Sequence, residues 1–119
     1  METDANIKSL LPLTEATFFI LLSLSQGPKH GYAIMKAVHQ MSDGRISFST
    51  GTLYGALKRL LDQGWIVRIG EARPDERDDP RRSRKEYELT PLGIKVIEAE
   101  VSRMNALVKL AVSMKPGEV

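Results

Sequence analysis

The stretch that decides the fold is residues 49–69, STGTLYGALKRLLDQGWIVRI. Its first residues, Ser49 and Thr50, are good helix N-caps, because their hydroxyl oxygens accept hydrogen bonds from backbone N–H groups that lack a partner at a helix start. Gly64 supplies a stop for that helix. The β-branched and aromatic run from Trp65 to Ile69 predicts a strand. A helix followed directly by a strand is therefore the centre of the predicted fold.

Two more helices are predicted before this stretch. The first begins at the N-cap Thr14 and ends near Ser25, where Gly27-Pro28 follows. It is apolar nearly all round, which implies burial on several sides. The second helix extends from about residue 30 to residue 41. The chain thus begins with three consecutive helices.

The C-terminal half predicts a hairpin and a long helix. Residues 70–83 contain glycine, proline and many charges and predict a loop, and residues 85–89 alternate polar and apolar side chains as a return strand does. Thr90-Pro91 is an N-cap followed by proline at the first helical position, and the helix runs to about Met114. This order predicts a mainly α winged helix-turn-helix fold with a small β-hairpin and a long C-terminal dimerisation helix.

Composition excludes several classes of protein. The 119 residues suffice for one compact domain, and a hydrophobic fraction of 42% is ordinary for a globular core. The sequence contains no cysteine, so it has no disulfide framework and no thiolate metal site. The longest apolar stretch, Phe18 to Leu22, is too short to span a bilayer, and the first residues lack the features of a secretory signal. We therefore predict a cytoplasmic protein without membrane contact.

The residue pattern does not support a catalytic, metal or cofactor site. His30 and His39 lie about 180° apart around a helix and cannot share a metal ion. Ser23, Ser25 and Ser47 have no evident base partner. The glycines match neither a dinucleotide-binding nor a P-loop pattern. We predict a protein that is not an enzyme and has no catalytic residue, metal or cofactor.

The third helix separates into an apolar and a polar face. At about 100° per residue, one face carries Leu53, Leu57, Leu60 and Leu61. The opposite face consists of Gly51, Thr52, Gly55 and Arg59, with Lys58 and Tyr54 on its flanks. It has no acidic residue before Asp62, its small residues allow close approach to a groove, and its cations and hydroxyls can bond phosphates and base edges. This helix by itself fits a DNA-reading face and an ordinary solvated face equally well. The hairpin that follows favours the DNA-reading face, because it places a second basic element beside the first.

A basic run opens the return strand of the hairpin, with the cations Arg81, Arg82, Arg84 and Lys85. These cations can neutralise phosphates that flank the groove. The preceding segment carries the acidic residues Asp75, Glu76, Asp78 and Asp79, which phosphate would repel. The alternative is therefore that the basic run pairs with this acidic cluster. The formal net charge is only +2, so the distribution of charge matters more than its total.

The last helix carries an apolar stripe with alternating spacings of three and four, formed by Ile94, Ile97, Val101, Met104, Val108 and Ala111. Such a stripe is typical of a coiled-coil seam and needs a partner surface. A domain of this size has little core left to cover so long a helix, which favours pairing between two copies of the chain. The alternative is that the stripe packs only on its own domain.

Several short motifs are shared with a known family: Leu13-Thr14-Glu15, His30-Gly31-Tyr32, Ser49-Thr50-Gly51-Thr52-Leu53-Tyr54, Ala56-Leu57, Arg59-Leu60, Gly64-Trp65-Ile66, Arg84-Lys85, Tyr87, Leu89-Thr90 and Gly93. Together they resemble the PadR family of transcriptional regulators, over about residues 13–112. The helix motif and the strand-end motif Tyr-x-Leu-Thr-x-x-Gly are specific in combination. Two features depart from the family pattern: Glu86 stands where an aromatic residue is frequent, and the acidic segment lies in the wing.

The resemblance implies a homodimeric winged-helix repressor that binds an inverted repeat. By position it implies DNA contact by Ser49, Thr50, Thr52, Tyr54, Lys58 and Arg59, with His30 and Tyr32 near the DNA backbone. Some relatives bind flat aromatic molecules at the dimer centre. We therefore add the hypothesis that Phe18 and Phe19 line a site for a small aromatic effector at the dimer interface.

The leading hypothesis is a homodimeric repressor that binds double-stranded DNA, with the third helix in the major groove and two half-sites about 34 Å apart. A second hypothesis is a winged-helix protein-interaction module without specific DNA binding, which the modest net charge and the acidic wing favour. A third is a small-molecule carrier or sensor. The predicted units are an N-terminal arm or short extra helix at 1–12, a DNA-binding domain at 13–90, a dimerisation helix at 91–114 and a tail at 115–119.

Overall fold

The computed structural model describes residues 4–70 and 85–114. In chain order the elements of these ranges are α1 (Asp4–Lys8), α2 (Glu15–Leu24), β1 (Lys29–His30), α3 (Gly31–Met41), α4 (Thr50–Gln63), β2 (Ile66–Ile69), β3 (Glu86–Leu89) and α5 (Pro91–Met114). A mainly helical chain with a small antiparallel sheet confirms the predicted fold class. The loop predicted at 70–83 lies outside the described residues, apart from Gly70.

Side-chain N-caps begin three of the helices. The hydroxyl oxygens of Thr14 and Ser49 each accept a hydrogen bond at 3.1 Å from the backbone N–H three residues later. His30 caps α3 in the same way through Nδ1, at 3.2 Å. Gly64 ends α4 with φ of 78°, a left-handed conformation that glycine adopts without strain. Local sequence therefore sets the bounds of the central helix within one residue of the prediction.

Within residues 4–70 and 85–114, the sheet has three strands rather than the predicted two. Its order is β1-β3-β2, with both pairs antiparallel. In β1, Lys29 lies opposite Tyr87 and His30 lies opposite Glu86. The prediction of a two-stranded hairpin was therefore incomplete, because a two-residue strand shows no period of its own and exists only through its pairing with β3.

The core lies between α2, α3, α4 and the first half of α5. Its most deeply buried apolar side chains are Ile20, Leu21, Ile34, Val38, Leu53, Leu57 and Val96. Trp65, Ile66 and Tyr87 extend the core to the sheet, and Ile7 of α1 is also buried in it. Residues 1–12, predicted as an arm or a short extra helix, thus contribute a helix that packs on the core.

The junction between α4 and α5 explains the Leu-Thr-x-x-Gly motif. Thr90 donates from its backbone N–H to the Trp65 carbonyl at 3.0 Å and from its hydroxyl to the Gly64 carbonyl at 2.6 Å. The same hydroxyl accepts from the Gly93 N–H at 3.0 Å and begins the helix. A Cβ at position 93 would lie 2.0 Å from the Trp65 carbonyl oxygen. Only glycine therefore allows α5 to start this close to the end of α4.

Helix α5 consists of a packed half and a free half. Gly93, Val96, Ile97 and Glu100 are buried. From residue 101 onwards every side chain is exposed or only partly buried. The second half of the helix thus extends away from the domain that the first half completes.

Candidate nucleic-acid interface

Helix α4 turns an apolar face to the core and a polar face outward. Its buried residues are Leu53, Ala56, Leu57 and Leu60, and Leu61 is only partly buried. The exposed positions include Ser49, Thr50, Gly51, Thr52, Lys58 and Arg59. The structure thus brings together six residues of the predicted DNA-reading face and its N-cap, which we call the reading surface. On the opposite face, Ala56 rather than Leu61 completes the buried row.

The start of α4 carries hydroxyls that are ordered by the cap. The Ser49 hydroxyl accepts from the Thr52 N–H and donates to Thr52 Oγ1 at 2.9 Å. The proton of Ser49 is therefore used within the cap, whereas the Thr52 hydroxyl keeps its own proton for an outside acceptor. Gly51 has open space at the position of a Cβ, so the backbone here can approach a large partner closely.

Two cations follow about two turns further along α4. Lys58 pairs with Asp62 at 3.6 Å, but the two side chains are 77% and 67% exposed. A surface pair of this kind contributes little free energy, so Lys58 is readily available to another anion. The Arg59 guanidinium lies beside Gly55, where a Cβ would be 3.9 Å from Nη1. Arg59 also lines a shallow cleft of about 210 Å³ between the start of α2 and the end of α4, together with Gln63 and Trp65.

Tyr54 lies between the reading surface and the body of the domain. Its side chain packs on the core, and a Cβ at Gly31 would lie 2.4 Å from its hydroxyl oxygen. Burial raises the pKa of Tyr54. The pKa of Tyr87 is also raised, chiefly by burial and further by the nearby Tyr54. Arg68 opposes this rise through its charge and a hydrogen bond. The ring of Tyr54 thus joins α4 to the start of α3 and to the sheet.

His30 and Tyr32 lie at the start of α3, on either side of Gly31. The Nδ1 atom of His30 accepts the cap hydrogen bond, so in the neutral ring the proton is on Nε2, which can donate to an outside acceptor. Tyr32 is 48% exposed. Because Gly31 contacts Tyr54, both residues lie close to the element that carries the reading surface.

The structure describes only part of the predicted wing. Lys85 is exposed at the start of β3. Arg81, Arg82 and Arg84 lie outside the described residues, and so does the acidic segment between residues 75 and 79. Arg68 on β2 is a further exposed cation of the sheet. Sequence reasoning did not single it out, because residues two apart in a strand share a face and the apolar Ile66 therefore predicts an inward position for Arg68.

The comparison with protein families identifies the chain. The model of the transcriptional regulator PadR-like family matches residues 20–99, which extend from α2 into α5. The chain belongs to the PadR-like family of transcriptional regulators. This membership confirms the resemblance found in the sequence, and it confirms that the PadR-like chain is a regulator rather than an enzyme.

The chain is also similar to a protein of known sequence and to solved structures. An uncharacterized 37.1 kDa protein in transposon TN4556 of Streptomyces fradiae is 37% identical over 93 residues, which cover 78% of this chain and 24% of that protein. The chain thus spans about a quarter of that relative's length. A transcriptional regulator from Clostridium thermocellum superposes with a TM-score of 0.65 at 23% identity, over 95% of this chain and 97% of that one. Bacillus subtilis PadR in complex with operator DNA superposes with a TM-score of 0.59 at 24% identity, over 73% of this chain and 46% of that one.

Among the described residues there is no group of three or more His, Asp or Glu side chains that could hold a metal ion. Within the same ranges, no helix combines the length and apolarity that crossing a membrane requires.

The predicted dimer stripe is divided by the structure. Val101 and Val108 are 47% and 59% exposed, Ile94 and Ala111 are exposed, and Met104 is partly buried. Ile97 is 6% exposed and belongs to the chain's own core. Ile97 thus packs on its own domain, as the alternative hypothesis held, whereas Ile94, Val101, Val108 and Ala111 leave much of their surface in water.

Phe18 and Phe19 are partly buried against the core rather than fully exposed. Their rings meet edge to face, with centroids 6.1 Å apart. Each ring keeps a part of its surface outside, so the pair forms an aromatic patch on α2.

A groove runs between α1 and α5 and has a volume of about 710 Å³. Apolar side chains of Ile7, Leu11, Ala99 and Ala106 line it, and charged side chains of Lys8, Lys95, Glu98 and Arg103 lie along it. This groove is not predictable from the sequence, because it depends on how α1 packs against α5.

Proposed function

We propose that this PadR-like regulator represses transcription by binding an inverted-repeat operator as a homodimer, with α4 in the major groove. The single observation that carries the proposal is the outward face of α4, where hydroxyls, small residues and two cations are exposed together. A helix of this kind fits the major groove, whose base edges and flanking phosphates it can bond. The fold shared with Bacillus subtilis PadR, which is known in complex with operator DNA, supports the same placement.

Each part of the face has its own chemistry. Arg59 can donate two hydrogen bonds to one guanine, which is the commonest specific contact of proteins with DNA. Lys58 carries a point charge suited to phosphate, and the Thr52 hydroxyl can donate to a phosphate or a base acceptor. Arg68 and Lys85 on the sheet, with Arg81, Arg82 and Arg84 of the wing, add charge for the phosphates beside the groove.

The surfaces of α5 support the homodimer. Its free half exposes Val101, Leu107, Val108, Leu110 and Val112, an apolar area that a single chain leaves in water. Each copy also has an apolar groove between α1 and α5. In a pair of copies, the free half of α5 of one copy can therefore pack on the groove of the other. Closed pairing of this kind gives the two-fold symmetry that an inverted repeat requires.

An effector site belongs to the same proposal. The partly exposed ring pair Phe18 and Phe19 offers apolar aromatic surface to a small flat molecule. Tryptophan emission from Trp65, recorded against a panel of aromatic compounds, tests this part of the proposal. A panel that leaves emission and operator affinity unchanged contradicts it.

The operator is tested by selecting binding sites from a random duplex library at two salt concentrations. We expect an enriched inverted repeat, with affinity that falls steeply as salt rises. Arg59→Ala should reduce affinity for the enriched site by about 10- to 100-fold, in line with about 1–3 kcal/mol for a specific base contact, and Thr52→Ala should also weaken binding. Lys36→Ala, which removes an exposed cation of α3, is the matched control and should retain affinity.

The protein-interaction module is the competing function, favoured by the net charge of only +2. It predicts that no motif is enriched and that the substitutions at Arg59 and Thr52 leave weak, sequence-independent DNA binding as it was. Repression is tested separately with a reporter gene under the enriched site. Higher expression of the reporter gene when the regulator is present would contradict the proposal that it is a repressor.

A further inference from the structure

Glu100 is the one charged side chain among the buried residues in the described part of the chain. It lies in the middle of α5 and is 2% exposed. Burying a carboxylate is costly unless its oxygens are hydrogen-bonded and its charge is paired. Both conditions are met here, so the partners of Glu100 indicate what it does.

The two carboxylate oxygens have different partners. Oε2 accepts from the backbone N–H of Leu13 at 2.8 Å, and Oε1 accepts from Arg103 Nε at 2.5 Å. Leu13 directly precedes the N-cap of α2, the first helix of the three-helix domain. Arg103 lines the groove between α1 and α5. Glu100 thus connects the domain that carries α4 with the surface through which we propose the dimer forms.

A buried ion pair is weak evidence for stability, because apolar side chains of similar volume often stabilise as well or better. An apolar side chain, however, makes no directional hydrogen bond and so does not specify one orientation of the helix. The hydrogen bond from the Leu13 N–H crosses between two elements, so it fixes the rotation and tilt of α5 against the Leu13 backbone. Arg103 lies on α5 itself, and its hydrogen bond holds the carboxylate in the orientation that this contact needs.

We propose that Glu100 is a positioning residue that sets the angle between α5 and the winged-helix domain, and thereby the separation of the two α4 helices in the dimer. The inference rests on the proposed function, because it concerns two half-sites of one operator. The free half of α5, residues 101–114, is about 21 Å long at 1.5 Å per residue. A tilt of about 10° at Glu100 moves its far end by about 4 Å, roughly the 3.4 Å rise of one base pair.

The test is the preference for half-site spacing. Glu100→Gln keeps the length of the side chain but offers one acceptor oxygen to two donors, so one hydrogen bond is lost in either orientation. We expect unchanged dimer mass and half-site sequence. The affinity ratio between the best spacer and spacers one base pair longer or shorter should fall about tenfold, which corresponds to about 1.4 kcal/mol. Glu88→Gln, the same change at an exposed position of β3 outside the groove, should keep the wild-type ratio.

A second measurement does not depend on DNA. The chain has no cysteine, so Lys36→Cys gives one spin label per copy on the exposed side of α3. We expect a narrow distance distribution between the labels in the wild-type background and a broadened or shifted one with Glu100→Gln. If that variant does not fold, Glu100→Met places an apolar side chain of similar volume at the same position, removes the acceptor for the Leu13 N–H and should have the same effect.

The outcomes separate the two proposals. An unchanged spacer profile and an unchanged distance distribution in a folded Glu100 variant overturn the positioning role while the operator-binding dimer stands. The absence of any distance between labels in the wild-type background overturns the dimer, and with it the positioning role.

Discussion

Gly93 is the residue whose identity the packing restricts most. A Cβ at this position would lie 2.0 Å from the Trp65 carbonyl oxygen, a backbone atom that cannot move without displacing the end of α4. We therefore expect Gly93→Ala to lower the free energy of unfolding by about 3 kcal/mol, at the upper end for overpacking. Urea unfolding measures the change. Gly51→Ala is the control, since open space surrounds Gly51 and alanine is the better helix former. Equal stability of the two variants would contradict the close approach.

Glu100 makes stability depend on pH. The hydrogen bond from Arg103 lowers the pKa of Glu100 below its ordinary value of 4.5, against the opposing effect of burial. A carboxyl with a lowered folded pKa stabilises above its unfolded pKa, and this stabilisation is lost as pH falls through the folded pKa. Glu100→Gln should therefore cost about 1–3 kcal/mol at neutral pH, and the difference from wild type should shrink below about pH 4.5. Unfolding midpoints of both proteins along a pH series test this, with Glu98→Gln as control; a difference that is constant down to acid pH would contradict it.

At the scale of single residues, the sequence predicts what depends on near neighbours. The caps Thr14 and Ser49 and the stop at Gly64 were predicted correctly, because each is decided by the few residues that follow or precede it. The surroundings of Tyr54 and Ile97 were not, because other elements decide them. Helical periodicity placed Tyr54 beside the reading surface, whereas α3 leaves room for its ring at Gly31 and draws it toward the core.

At the scale of elements, the cap of α4 is both a structural and a functional device. Ser49→Ala removes the acceptor for the Thr52 N–H and should lower the free energy of unfolding by about 1 kcal/mol. Because the frayed turn carries Thr50 and Thr52, operator affinity should fall as well. Thr14→Ala removes the corresponding cap of α2 and should cost similar stability without loss of affinity. Thermal melts and binding titrations of both variants test the prediction, and equal affinities would separate the cap from DNA binding.

The elements themselves show why sequence reasoning ends where pairing begins. Helix α4 and strand β2 follow from local pattern, and α5 ends at the predicted Met114. Strand β1 has only Lys29 and His30, and it is a strand because β3 pairs with it from more than 50 residues away in the chain. The basic face of α4 was predictable from its period. The groove between α1 and α5 was not predictable, because it depends on how α1 packs against the domain. Helix α1 has five residues, and among those of its side chains that the structure describes Ile7 is the buried one.

At the scale of the whole molecule, the free half of α5 decides whether the chain acts alone. Val101 is 47% exposed, so a lysine there meets water in a single chain and should leave the fold intact. In a dimer that buries this face, the same lysine loses its hydration without a partner. We therefore expect Val101→Lys to be a folded monomer of 13.3 kDa by light scattering, where the wild type has twice that mass. Because two linked half-site contacts reinforce each other by about 10²- to 10⁴-fold, operator affinity should fall at least about 100-fold.

The control for this substitution lies on the same helix. Ser113→Lys adds the same charge at another exposed position, about 120° around the helix from Val101, and should remain dimeric. Circular dichroism establishes that both variants keep their helices, so that a change in mass reports association and not unfolding. A dimeric Val101→Lys would mean that copies of the chain meet through another surface. The two reading helices would then be related by a different axis, and the spacing of about 34 Å between half-sites would no longer be expected.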